Sequence, residues 1–398
     1  MIKIQVSKTL QEKIRNGYPW IFHYQIKNLS GEPGELGVIY DSRNRFLAIG
    51  LYDPFSDIRL RILQTSQPVE INADFFKERL LKALKLRKPL LDSDITGYRV
   101  VHGENDGFPG LVLDRYEDTA VVKLYTVAWA PYLEILLSLL MELLNIRRCV
   151  LRLSRNIRKL AGEKFRIEDG QILTGPEIED PVRFRENGLV FEADITRGHK
   201  TGFFLDQREN REHIRTFSKD TSVLNVFSYN GAFSAYAFSG GARSVLEMDT
   251  NPFALKISGK ILKLNFPGGH FGPPRLLQIQ GDAFEELGKL DQQNKTFSLV
   301  ILDPPAFASR KKQKPKALET YRKLAAVGSR LTEPNGILFS ASCSAHVGAE
   351  DFYAAVFSGI RSTGKTGQEI LRTGHALDHP VGFKEGAYLK GLYCRIAS

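Results

Sequence analysis

Cysteine is scarce in this chain. Only Cys149, Cys343 and Cys394 occur in 398 residues, too few and too scattered for a disulfide framework or a Cys-rich zinc site. No metal is expected. A signal-peptide pattern is also missing, since Met1 opens directly into Ile-Lys-Ile-Gln-Val. Both absences fit a reducing cytoplasm, which is the expected location. The longest apolar run, Tyr132 to Leu144, is interrupted by Glu134 and Glu142 and falls short of the about 20 residues a bilayer-spanning helix needs. No membrane partner is expected. Neither the G-x-G-x-x-G spacing of a dinucleotide fold nor the Lys-Ser/Thr of a P-loop is found where a nucleotide would sit, which disfavours a pyrophosphate ligand. No internal repeat is visible.

Acidic residues are outnumbered. The 55 Lys and Arg against 45 Asp and Glu leave a net charge of +10, a balance that suits a polyanionic partner such as RNA but is also common in proteins that touch none. The apolar and charged fractions, 42% and 25%, are those of a folded globular protein. The length is more than one ordinary core can fill, so two or three domains are expected. A homodimer is compatible with all of this.

Residues 1–70 read as short strands, at Lys3 to Val6, Gly37 to Tyr40, Phe46 to Leu51 and Ile58 to Leu63, with Gly, Pro and Asp between them. This predicts a small β-barrel. Strict alternation in Ile58-Arg-Leu-Arg-Ile62 puts Arg59 and Arg61 on one face, either solvated or facing phosphates. Residues 71–185 predict a small α+β domain: helices over Asn72 to Leu91 and Pro131 to Leu144, a hairpin around Gly103 to Gly110, and strands at Leu111 to Asp114, Ala120 to Tyr125 and Cys149 to Leu153. Arg183 to Phe191 reads as one further strand.

Residues 186–398 change pattern. Candidate strands at Ser222 to Phe227, Ser244 to Met248, Leu276 to Ile279, Phe297 to Leu302 and Ile337 to Ala341 alternate with helical stretches at Ala232 to Phe238, Pro252 to Leu264, Leu318 to Leu331 and Ala349 to Ile360. Such alternation predicts a Rossmann-like, doubly wound parallel sheet, an α/β class. Glu369 to Arg372 and Tyr388 to Ile396 could complete it.

Chemistry-bearing residues gather at the carboxyl ends of these strands, where open α/β sheets bind ligands. Phe227-Ser-Tyr-Asn-Gly231 forms the first strand-to-helix turn, and Gly231 lets backbone approach a ligand without phosphates. Asp249 follows the second strand, suited to ribose hydroxyls. Asp282 follows the third, suited to an adenine amino group. Asp303-Pro304 follows the fourth. A single such acid is commonly a helix N-cap, but the three in order make S-adenosylmethionine the favoured cofactor. Upstream, Phe204, Asp206, Gln207 and Arg208 lie in a run dense with aromatic and polar groups. Cys343 lies just past the next strand, between Ser342 and Ser344. A buried hydrophobic role is the commonest for a cysteine, yet this position suits a thiolate nucleophile adding to C6 of a pyrimidine so that C5 can accept a methyl group, with Asp303 as partner for the base. Cys149 and Cys394 lie in apolar runs and read as structural. The basic stretch Ser309 to Lys316 suits RNA phosphates or a solvated loop equally.

Residues 13–22 (Lys-Ile-Arg-Asn-Gly-Tyr-Pro-Trp-Ile-Phe), Gly50-Leu-Tyr52, Ile58-Arg-Leu-Arg61, Tyr98 to Arg115, Lys200 to Arg208, Phe227 to Gly231, Asp303-Pro-Pro-Ala-Phe307, Ser342-Cys-Ser344 and Glu385 to Leu392 together resemble a known family. It is the PUA-domain-containing class I methyltransferases that modify cytosine C5 in large-subunit ribosomal RNA. The resemblance covers nearly the whole chain. It implies an RNA-binding PUA domain, ribosomal RNA as partner, Cys343 as nucleophile, Asp249 and Asp282 as contacts to the donor's ribose and adenine, and Asp303 as a contact to the target base. The chain departs from the family in Leu151 to Asn156, which is not acidic, and in the Gly/Pro-rich stretch Phe266 to Arg275. Two other readings stay open: a guanine-N methyltransferase needing no covalent step, and a noncatalytic ribosome-assembly factor.

Overall fold

The computed structural model describes residues 1–26, 29–198, 200–268 and 275–397; most of the Gly/Pro-rich stretch 266–275 therefore lies outside the described residues. The chain forms two compact units. One comprises Met1–Gly188, Glu192–Leu205 and Leu377–Lys384, the other Leu189–Phe191, Asp206–Ala376 and Glu385–Ser398.

The first unit contains two five-stranded sheets. The first is built from β1 (Ile2–Gln5), β2 (Trp20–Phe22), β3 (Leu36–Tyr40), β4 (Phe46–Tyr52) and β5 (Ile58–Thr65), in the order β1-β3-β4-β5-β2. Only β1 and β3 run parallel. A helix that strand patterns alone did not suggest, α1 (Lys8–Arg15), is capped by Ser7 and buries Leu10 and Ile14 against Ile4, Ile39 and Leu60. Arg59 and Arg61 do not form an open face. The Arg59 guanidinium donates to the carbonyls of Asp53 and Pro54, and Arg61 is buried.

After α2 (Ala73–Leu86) and α3 (Lys88–Leu91) comes the second sheet. Its strands are β6 (Gly97–His102), β7 (Leu111–Tyr116), β8 (Thr119–Leu124), β9 (Arg148–Leu153) and β10 (Ile172–Thr174), in the order β10-β9-β8-β7-β6. Between them lie α4 (Leu133–Leu144) and α5 (Arg158–Phe165). With the short helix before it, α4 extends to Val127–Leu144, long and apolar enough to cross a membrane by length and composition. Here Val127, Trp129, Leu133, Leu136, Leu140 and Leu144 pack with Phe76 and Leu80 of α2 into the core of this sheet. A charged network is sealed within it: Arg99 grips both oxygens of Asp114 at 2.7 and 2.9 Å, and Thr201 donates to the same carboxylate. The returning segment Leu377–Lys384 is tied here as well, Asp378 accepting the Arg99 amide at 2.8 Å. The run read as one strand over 183–191 is two, β11 (Val182–Glu186) and β12 (Leu189–Ala193). Asn187 and Gly188, both with positive φ, turn the chain between them.

The second unit is one seven-stranded sheet with helices. Its elements are α6 (Arg208–Thr216), β13 (Ser222–Val226), α7 (Ala232–Ser239), β14 (Ser244–Asp249), α8 (Pro252–Asn265), β15 (Leu276–Gln280), α9 (Ala283–Gln292), β16 (Phe297–Leu302), α10 (Lys314–Arg330), β17 (Thr332–Ser342), α11 (Ala349–Arg361), β18 (Thr366–Thr373) and β19 (Lys390–Ala397). The order is β15-β14-β13-β16-β17-β19-β18. The five strands β13 to β17 are parallel, as the alternation predicts. The sheet departs from all-parallel at β19, which runs antiparallel to both β17 and β18 because β18 and β19 are joined without a crossover helix. Strand order reverses between β13 and β16, the switch point at which such sheets open a crevice beyond their carboxyl ends.

Candidate active site

The turn from β13 into α7 is conformationally demanding. Phe227, Tyr229 and Gly231 all have positive φ, at 61°, 48° and 72°, and two of these are bulky residues for which that region is unfavourable. Neighbouring strands hold it. The Ser228 amide donates to the Met248 carbonyl at 3.0 Å, and the Tyr229 amide to Asp249 Oδ2 at 2.8 Å. At Gly231 a Cβ would run into Ser258 Oγ and Glu247 Oε1, so no larger residue fits. Glu247 is fully buried, accepting from Ser258 at 2.6 Å and Gln278 at 2.8 Å, and burial pushes its carboxyl above the ordinary glutamate range. Ser228 and Asn230 are buried, and Ser228 Oγ has no hydrogen-bond partner among the described residues. A buried hydroxyl without a partner at a switch-point turn can take one from a polar ligand.

The acids occupy the strand ends. Asp249, half-buried, closes β14 and spends one lone pair of each oxygen on the amides of Tyr229 and Asn251, leaving the others for ligand hydroxyls. Asp282, exposed, caps α9 through Oδ1, which accepts the amides of Phe284 and Glu285 at 2.9 and 3.2 Å. Asp303 follows β16, with Oδ1 accepting from Gln207 Nε2 at 2.9 Å, and Pro304 beside it is buried. Gln207 is oriented in turn by Asn210, 2.5 Å from its Oε1. Asp206 accepts from the Tyr388 hydroxyl at 2.8 Å, and Arg208 is buried at the start of α6. Phe204 belongs to the first unit, where the Lys200 ammonium lies 4.5 Å from its ring centroid.

Cys343 follows the last residue of β17, half-buried, while Cys149 and Cys394 are buried, their thiols pushed up to about 12 by desolvation. Strand β17 is the direct neighbour of β16, so the Cys343 and Asp303 loops leave adjacent strands. They are stitched together. The Ala308 amide donates to Ser344 Oγ at 3.4 Å, the Tyr321 hydroxyl sits 2.8 Å from Ser342 Oγ and 3.0 Å from Ser344 Oγ, and the Phe307 ring packs 5.0 Å from that of Tyr321.

Four contributors were not singled out from the sequence: Asn210, Tyr321, Tyr388 and Lys390. Tyr388 and Lys390 lie in the recognisable run 385–392 but only the fold reveals their partners; a lysine entering an apolar strand was the available signal. The basic stretch 309–316 is not a free loop. Gln313 Oε1 accepts from the amides of Ser309 and Arg310, α10 begins at Lys314, and Lys314 pairs with Asp351 at 2.6 Å, while Arg310, Lys311, Lys312 and Lys316 stay exposed. Among the described residues no cluster of His, Cys, Asp and Glu could hold a metal.

Comparison with known proteins agrees with this geometry. Residues 99–357 match the family model of S-adenosylmethionine-dependent methyltransferases, and residues 4–65 that of a PUA-like domain. A Deinococcus radiodurans protein named ribosomal RNA large subunit methyltransferase is 44% identical over 99% of this chain and 97% of its own. An Aliivibrio fischeri protein named ribosomal RNA large subunit methyltransferase I is 35% identical over 99% of both chains. Two solved structures share the fold at 21% identity, each covering 99% of this chain and 100% of the other. One is a Streptococcus mutans protein described as a SAM-dependent methyltransferase (TM-score 0.83), the other a methyltransferase complexed with SAH (TM-score 0.85). The strained turn, the unpartnered Ser228 hydroxyl and the spare lone pairs of Asp249 fit S-adenosylmethionine, a nucleoside ligand without phosphates. The chain belongs to the S-adenosylmethionine-dependent methyltransferase family and carries a PUA-like domain near its N-terminus.

Proposed function

We propose that this protein is a cytoplasmic enzyme that methylates C5 of a cytosine in large-subunit ribosomal RNA, with Cys343 as covalent nucleophile. One observation carries the reading: a half-buried cysteine and the Asp303-Pro304 turn leave adjacent parallel strands at the switch-point edge, joined through Ser344 and Tyr321. An enzyme attacking an exocyclic or ring nitrogen of guanine has no use for the thiol.

When bound, S-adenosylmethionine supplies an electrophilic methyl group and leaves as S-adenosylhomocysteine. Residues 227–231, Asp249 and Asp282 bind it, with Asp206, Gln207, Arg208 and Pro304 closing the site. The Cys343 thiolate adds to C6 of the cytosine and pushes an electron pair to C5, turning a poor nucleophile into a reactive carbon. Asp303, oriented by Gln207, partners the N3 and amino edge where charge changes. Once C5 carries the methyl group, loss of its proton to a base returns the electron pair to the ring and expels the sulfur.

The relatives' names supply the substrate class, and the net charge of +10 suits it. The exposed cations Arg310, Lys311, Lys312 and Lys316 follow the Asp303 edge and are the proposed phosphate contacts of the second unit. RNA carrying 5-fluorocytosine tests the chemistry. Fluorine at C5 leaves no proton to remove, so the wild type should form an adduct stable to denaturing electrophoresis and Cys343→Ala none. An equal yield from both proteins refutes the covalent step.

A further inference from the structure

Lys390 is an anomaly the reaction scheme does not use. Lysine is almost never fully buried unless paired, yet Lys390 is only 4% exposed and no carboxylate among the described residues pairs with it. Its ammonium donates instead to two backbone carbonyls, Ser344 O at 2.7 Å and Val347 O at 2.9 Å. Those carbonyls bracket the turn immediately after Cys343, which the Val347 amide closes onto Ser344 at 3.1 Å. Lys390 is placed there by register: it opens β19 directly opposite Ser342, the last residue of β17. Two carbonyl dipoles only partly offset the desolvation of a cation. What is missing is an anion, and a neighbouring group that can become one is the Cys343 sulfur.

We propose that Lys390 is the positioning residue for Cys343: its ammonium, anchored on the Ser344 and Val347 carbonyls, fixes the turn and holds the adjacent sulfur as a thiolate. The inference rests on the reading of Cys343 as nucleophile. Only the S–H bond breaks; its proton leaves to solvent and the ammonium balances the charge that remains. Among the ionisable groups on neighbouring elements that feel that charge are Lys390 from β19 and Tyr321 from α10. Tyr321 is held neutral by burial and adds no competing negative charge, while Lys390 can supply the positive one. Burial pushes the lysine down to about 8, with the Cys343 charge opposing that shift.

The thiol itself reports the effect, independently of methyl transfer. Alkylation of the full-length protein by iodoacetamide is followed against pH, with the Cys343 peptide quantified by mass spectrometry; buried Cys149 and Cys394 serve as internal controls. The wild-type rate should rise with a midpoint below the about 8.5 of a free thiol. Lys390→Met should move the midpoint up by about one unit and slow alkylation about tenfold at pH 7. Lys390→Gln keeps N–H donors for the two carbonyls but no charge, and should shift like Lys390→Met; a wild-type profile from Lys390→Gln would reduce the lysine to a strut and overturn the proposal. A wild-type midpoint at or above 8.5 would overturn it even if no variant folds. Methyl transfer by Cys343→Ala separates the two ideas: full activity there sinks the nucleophile, whereas an unshifted alkylation profile with an inactive Cys343→Ala sinks only the role of Lys390.

Discussion

Replacing Gly231 by alanine tests whether the β13–α7 turn is as constrained as its geometry implies. Two penalties combine. The residue sits at φ 72°, where an L side chain costs roughly 1–2 kcal/mol, and its Cβ would collide with Ser258 Oγ and Glu247 Oε1, an overpacking of about 1–3 kcal/mol. Neither neighbour can yield freely, because Ser258 and Glu247 are hydrogen-bonded to each other and Glu247 also holds Gln278. A loss of about 3 kcal/mol would lower the melting temperature of a unit this size by about 6–12 °C. The turn should also move away from its bonds to Met248 and Asp249, so donor binding measured by calorimetry should weaken more than tenfold. Scanning calorimetry with and without S-adenosylmethionine reads both quantities. A melting temperature within 2 °C of wild type, with unchanged donor affinity, would refute the argument that this turn is packed to its limit.

Asp114→Ala in the first unit leaves the Arg99 guanidinium buried without its carboxylate, and should cost about 3–5 kcal/mol in denaturant titrations. Tyr321→Phe strips a partner from two buried serines; a loss of about 1–3 kcal/mol is expected, with kcat reduced more than KM because the turn after Cys343 loosens. Glu247 has a raised carboxyl value in the folded protein, so its contribution is fully present below the unfolded value of about 4.3 and is lost as pH rises through the raised one. The advantage in melting temperature of wild type over Glu247→Gln should therefore be largest near pH 4 and shrink toward pH 7. Charge reversal at Arg310, Lys311, Lys312 and Lys316 should weaken RNA binding and flatten its dependence on salt; an unchanged slope removes these cations from the interface.

The parallel core of the catalytic sheet was legible because buried parallel strands advertise themselves. Val300 to Leu302 is an apolar run, Val223 to Val226 is one broken only by the buried Asn225, and both are bounded by turn residues. The antiparallel β19 was not legible in direction, since an apolar strand carries no mark of its orientation. Helix α1 escaped notice because eight residues between strands give little periodicity, although Ser7, Leu10 and Ile14 are its cap and buried face. Site residues that end strands were visible as acids and a cysteine after apolar runs. Tyr321, Asn210 and Lys390 were not, because their importance lies in partners far along the chain: Tyr321 reaches Ser342 and Ser344, Asn210 reaches Thr373, and Lys390 reaches Val347. Asp282 illustrates the reverse case, since the N-cap that sequence alone could suggest is present.

The most direct test incubates purified protein with deproteinised large-subunit ribosomal RNA and labelled S-adenosylmethionine, then identifies the methylated nucleoside by mass spectrometry for wild type and Cys343→Ala. The account predicts 5-methylcytidine from the wild type and no product from the variant, with donor affinity retained. Methylated guanosine, or 5-methylcytidine formed equally well without the thiol, would contradict it.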